Sequence, residues 1–77
     1  MMIPHMTLRM AQVAGFVAMG YINKEIADSL GISIKTVEKH REKLMKTYSL
    51  RNTADITRFA VAHGIITLKG QSQQGNN

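Results

Sequence analysis

The chain has 77 residues, no cysteine and no tryptophan, and its 10 Lys+Arg against 5 Asp+Glu leave a formal net charge of +5. That length allows one compact domain, since a core usually needs roughly 50 residues or more. The missing cysteine excludes disulfides, cysteine-containing zinc sites, thiol nucleophiles and iron–sulfur ligation, and fits a reducing, cytoplasmic compartment. Residues 1–5 hold the only proline, Pro4, and read as a lead-in without the basic, apolar, small-residue order of a secretory signal. Thr7 is placed to cap a first helix, along which Met10, Val13, Phe16 and Val17 recur at helical spacing until Gly20 stops it. Gly15 inside that helix costs roughly 1 kcal/mol against Ala, and a close helix–helix approach would account for it. The longest nearly uncharged stretch, residues 11–23, is shorter than the roughly 20 apolar residues of a membrane span.

Asn23 opens a second, short helix with Ile26, Ala27 and Leu30 on one face, and Gly31 ends it. Ile32 and Ser33 form a tight turn, with the Ser33 hydroxyl set to cap the next helix. The third helix, about 34–48, points Val37, Leu44 and Tyr48 inward, with His40 or Arg41 between them at the same spacing. Its opposite face carries Lys35, Glu38, Lys39, Glu42 and Lys46. Residues 33–51 hold six cations against two glutamates, and so four of the five net charges. Asn52 followed by Asp55 reads as a capping pattern for a fourth helix to about His63, with Ile56, Phe59 and Ala60 inward and Gly64 as its stop. Ile65, Ile66 and Leu68 suit a short apolar end that folds back, and the polar run 70–77 is expected to be a disordered tail. The expectation is an all-α, four-helix domain over 6–69.

Two short helices joined by a three- to four-residue turn containing glycine describe a helix-turn-helix. Here Ala27 is small where the second and third helices cross, Gly31 makes the turn, and Val37 packs the third helix back on the second. Ile26, Leu30 and Ile32 fill the wedge. His40 has no cysteine or carboxylate at ligand spacing, so no metal site is expected. No nucleophile–base arrangement and no Gly-rich phosphate loop appear, so no catalytic residue and no cofactor are expected either. The methionines within the helices suit core filling.

Thr7-Leu8-Arg9, Gly20, Asn23-Lys24-Glu25-Ile26-Ala27, Leu30-Gly31-Ile32-Ser33, Thr36-Val37-Glu38 and His40 resemble the LuxR-type helix-turn-helix domain, also called the FixJ or NarL type. The resemblance covers roughly residues 6–66. It implies a bacterial, sequence-specific transcription regulator that binds double-stranded DNA, without catalysis, metal or cofactor. It also implies a third helix in the major groove and a homodimer through the fourth, with half-sites about one helical turn apart. Base contacts then fall to Glu38, Lys39 and Glu42, since Lys can donate to guanine and Glu can accept from cytosine. Lys24, Ser33, Lys35, Thr36, His40, Lys43 and Lys46 fall to phosphates, and Ala54, Thr57, Arg58 and Val61 to the dimer contact. Glu38 and Glu42 act either in specificity or as partners of lysines such as Lys46.

Most members of the family carry this domain behind a sensing domain, for which 77 residues leave no room; the chain is a small stand-alone regulator or a piece of a longer one. The alternative is a protein-binding module that sequesters another LuxR-type regulator or contacts a transcription complex such as RNA polymerase. Three departures from the family pattern concern the core: Met10 replaces an acidic residue, Thr47-Tyr48 a Lys-Leu pair, and Ala14 a larger aliphatic. A joint change of Met10 with Thr47 and Tyr48, exchanging a charged pair for an apolar contact, is the expectation.

Overall fold

The first-turn N–H groups of a helix have no intrahelical acceptor, so a helix starts most readily where a side chain supplies one. In the computed structural model, which describes residues 3–65, three helices start this way. Thr7 Oγ1 accepts the Met10 N–H at 3.1 Å and opens α1 (Leu8–Ala18). Ser33 Oγ accepts the Thr36 N–H at 3.0 Å and opens α3 (Ile34–Thr47). Asn52 Oδ1 accepts the Asp55 N–H at 2.9 Å and opens α4 (Thr53–Ala62). The exception is α2 (Asn23–Leu30), preceded by Ile22, which has no polar side chain; Glu25 Oε1 reaches back to the Ile22 N–H at 2.9 Å.

All four helices stop by the same device. Gly20, Gly31, Ser49 and Gly64 take positive φ, and the next N–H donates back five residues: Tyr21 to Phe16, Ile32 to Ala27, Leu50 to Met45 and Ile65 to Ala60, at 2.8–3.0 Å. These stops give short connections, and the helices fold over one core. α1 is its hub, packing on α3 and α4, while α2 packs on α3. Met10, Val13, Ala14 and Val17 of α1 are buried with Ile26 and Ala27 of α2, Val37 and Leu44 of α3, and Ile56 and Ala60 of α4. Every one is apolar. Among the described residues there is no strand and no helix long and apolar enough to cross a membrane.

Several details differ from the sequence reading. α3 ends at Thr47 and α4 at Ala62, so Tyr48 and His63 are caps rather than helical residues. Phe16, Leu30, Tyr48 and Phe59 are only half-buried and cover the core from outside. Their rings pair off: Phe16 lies 4.8 Å from Tyr21, and Phe59 lies 4.7 Å from Tyr48 and 4.5 Å from His63. Gly15 is not at a close helix crossing, because a Cβ there would meet only an Ile65 methyl at an ordinary 3.7 Å. Met10 is buried in the core against which Tyr48 packs, but Thr47 is exposed and takes no part. The Tyr48 hydroxyl instead donates to the Pro4 carbonyl, tying the lead-in to the end of α3. Ile66, Leu68 and the run 70–77 lie outside the described residues.

Candidate nucleic-acid interface

A 14-residue helix with one side on the core must turn the rest of its circumference outward, and the residues of α3 divide accordingly. Val37 and Leu44 are buried, while Lys35, Glu38, Lys39, Glu42, Lys43 and Lys46 are all exposed. Two shallow grooves flank this face. One, of about 590 Å³, runs along Lys39, Glu42, Lys43, Lys46 and Thr47; the other, of about 410 Å³, is bordered by Glu38, Arg41 and Glu42 with Asn23 of α2. Among the described residues, no ion pair within 4.0 Å engages Glu38, Glu42 or any lysine of α3. A Glu42–Lys46 pair is therefore not what holds Glu42, and both carboxylates stand available beside the cations.

At the start of α3, Ser33 Oγ and Thr36 Oγ1 lie 2.9 Å apart, so each hydroxyl is partly engaged by the other. Lys24, in the first turn of α2, reaches Asp28 at 3.3 Å, with both side chains about 70% exposed. Such an exposed i,i+4 pair is worth little and yields readily to a stronger anion. His40 is half-buried; burial first, then the nearby charges of Arg9 and Lys43, holds its imidazole below the usual histidine range. Two cations, Arg9 of α1 and Lys43 of α3, thus lie near the His40 imidazole at one edge of the face. Arg9 belongs to this edge and was missed in the sequence, where nothing local links it to His40.

The sequence left His40 and Arg41 as alternatives for the inward position, and the structure half-buries both. Arg41 turns away from the lysine face and donates from Nη2 to Thr53 Oγ1, the first residue of α4, at 2.9 Å. On α4, Ala54, Arg58 and Val61 are exposed and Thr57 is half-buried. Arg58 is held to Asp55 at 2.7 Å. Asp55 also accepts the Arg51 N–H at 2.9 Å, and these bonds hold its carboxyl below the usual carboxylate range. Among the described residues, no three metal-binding side chains gather.

Four short helices, a capped turn between α2 and α3, and a charged outer face on α3 define a helix-turn-helix protein. The chain belongs to the LuxR family: the profile described as GerE, bacterial regulatory proteins, luxR family, matches residues 4–60. It is accordingly a regulatory protein and not an enzyme. It is 40% identical over 65 residues to the transcriptional regulatory protein MctR of Rhizobium johnstonii, covering 84% of this chain and 30% of the relative. It is 41% identical over 49 residues to the C4-dicarboxylate transport transcriptional regulatory protein DctR of Rhodobacter capsulatus, covering 64% of this chain and 25% of the relative. The oxygen regulatory protein NreC of Staphylococcus carnosus is 36% identical over 53 residues, 69% of this chain and 24% of its own. The chain therefore spans less than a third of these relatives. No solved structure matches it.

Proposed function

We propose that the chain binds double-stranded DNA in a sequence-specific manner to regulate transcription, with α3 in the major groove and α4 joining two copies. The observation that carries this is the outer face of α3, where exposed lysines flank two carboxylates engaged by no ion pair among the described residues, on a helix anchored by Val37 and Leu44. In this reading Lys39, Glu38 and Glu42 read base edges. Lys35, Lys43, Lys46, Lys24, His40 and the α3 start at Ser33 and Thr36 hold phosphates, and Ala54, Thr57, Arg58 and Val61 form the contact between copies. Arg58 enters that contact already held by Asp55.

Titration of a random duplex pool at two salt concentrations, followed by sequencing of the retained fraction, tests the reading. Enrichment of a palindromic motif is expected, and Lys39→Ala is expected to relax its preference at one position. Retention that moderate salt abolishes, with no motif enriched, would leave only generic attraction of a +5 chain and would sink the proposal. A second reading, a module that binds another regulator or RNA polymerase, draws on an open apolar groove of about 590 Å³ on α1 and α2. Phe16, Met19, Leu30 and Ile65 are among its walls, and α3 takes no part in it. Absence of any DNA retention, together with binding to a full-length LuxR-type regulator, would favour it.

A further inference from the structure

Four of the five cations on α3 are exposed lysines; the fifth, Arg41, is half-buried and points elsewhere. Among the described residues the side-chain hydrogen bonds span three or four positions, with two exceptions: Tyr48 to Pro4, and Arg41 to Thr53. The second is the one that joins α3 to α4. Those two helices each pack on α1 and make little direct contact with each other. Apolar packing therefore seats each of them on the hub and pairs the Tyr48 ring at the end of α3 with Phe59 of α4, while the Arg41–Thr53 bond of 2.9 Å is the one side-chain hydrogen bond between them among the described residues. A planar guanidinium suits this task because its five donors sit in a fixed fork, which an ammonium lacks. Asn23 of α2 borders Arg41 in the groove beside Glu38 and Glu42 and in a second groove that Thr53 also lines, and among the described residues Asn23 Oδ1 is buried without a hydrogen-bond partner. A second acceptor is thus available at the same junction.

We propose that Arg41 is a positioning residue for DNA recognition: through Thr53 it fixes the reading helix α3 relative to the dimer helix α4. This rests on the DNA-binding reading above. In a symmetric dimer joined through α4, any rotation of α3 against α4 is imposed on both half-sites and changes the separation of the two reading helices. That separation must match about one turn of the duplex. Arg41 thereby acts on specificity without touching a base.

The test uses the whole chain and the motif selected by the wild type. Arg41→Met keeps the stem and removes the donors; Thr53→Val removes the acceptor with no change of charge. Each is expected to weaken binding to the selected motif by roughly tenfold, the scale of one hydrogen bond to a charged group. Affinity for random duplex is expected to hold, at least in Thr53→Val, the melting temperature to fall only slightly with the chain still folded, and the double variant should be no worse than either single one. Thr53→Ser, which restores the hydroxyl, should recover the affinity. Equal loss on motif and random duplex, additive effects, or a salt slope lowered by about one in Arg41→Met alone would overturn the proposal, the last by making Arg41 a phosphate contact. If the wild type selects a motif and the variants bind it unchanged, the positioning role fails while the DNA-binding reading stands. If the wild type selects none, both fall.

Discussion

Histidine is the side chain whose charge changes most readily near neutral pH, and the surroundings of His40 fix the sign of its response. Its folded-state pKa lies below the ordinary 6.5 because of burial and the charges of Arg9 and Lys43. Above pH 6.5 the imidazole is neutral in both folded and unfolded chains and contributes no pH dependence. Below it the unfolded chain takes up a proton that the folded one resists, so stability falls as the pH drops toward the folded-state value. Denaturation by urea at pH 7.5 and at pH 5 should show this loss, and His40→Gln should reduce the difference between the two. A bound phosphate reverses the balance, since an anion beside Arg9, Lys43 and His40 favours the charged imidazole. DNA binding should then take up a proton and tighten between pH 7.5 and 6 in the wild type but not in His40→Gln. Equal tightening in both would remove His40 from the phosphate contacts.

The helix stops carry a second prediction, because three use glycine and the fourth uses Ser49 at φ 57°. A left-handed non-glycine residue costs roughly 1–2 kcal/mol, from which the extra entropy of a glycine in the unfolded chain subtracts about 0.4–1 kcal/mol. Ser49→Gly should therefore stabilise the chain by about 0.5–1 kcal/mol, a rise of about 4 °C in melting temperature. Gly31→Ala should destabilise it by about 1 kcal/mol through strain alone, since a Cβ there meets nothing within 4 Å. A Ser49→Gly variant no more stable than the wild type would mean that local bonds of the serine offset its conformation. The same elements explain what the sequence could tell. Thr7, Ser33, Asn52, Gly20, Gly31 and Gly64 were legible because a cap or a stop is settled within a few residues. The exposed face of α3 was legible because helical period alone separates Lys39 and Glu42 from Val37 and Leu44. Ser49, Ile22, the role of Gly15 and the choice between His40 and Arg41 were not, because each depends on what another segment brings to it. The partners of Lys24 and Arg58 were likewise invisible, although both lie within one helix, because side-chain pairing among several nearby charges is not set by spacing.

At the scale of the whole molecule, apolar and charged surfaces are separated: the fully buried residues are all apolar among the described residues, with Asn23 only half-buried at the edge, and the lysines of α3 lie on one outer face. Binding to a duplex should therefore respond to salt in proportion to the lysines that reach phosphate. If Lys24, Lys35, Lys43 and Lys46 each neutralise one, the slope of log K against log salt is about −3.6 for one domain, and about twice that for a dimer on two half-sites. Each alanine substitution among them should reduce the magnitude of the slope by about 0.9 per domain and weaken all sequences alike. Lys24 offers a control, because it must leave Asp28 to reach a phosphate. Asp28→Asn removes that competitor and a nearby negative charge, and should tighten binding slightly without altering the preferred sequence. Were the Lys46→Ala and Lys24→Ala slopes equal to the wild type's, the orientation proposed for α2 and α3 on the duplex would be wrong. A selected motif that survived Lys39→Ala unchanged would then place the reading face elsewhere on the molecule.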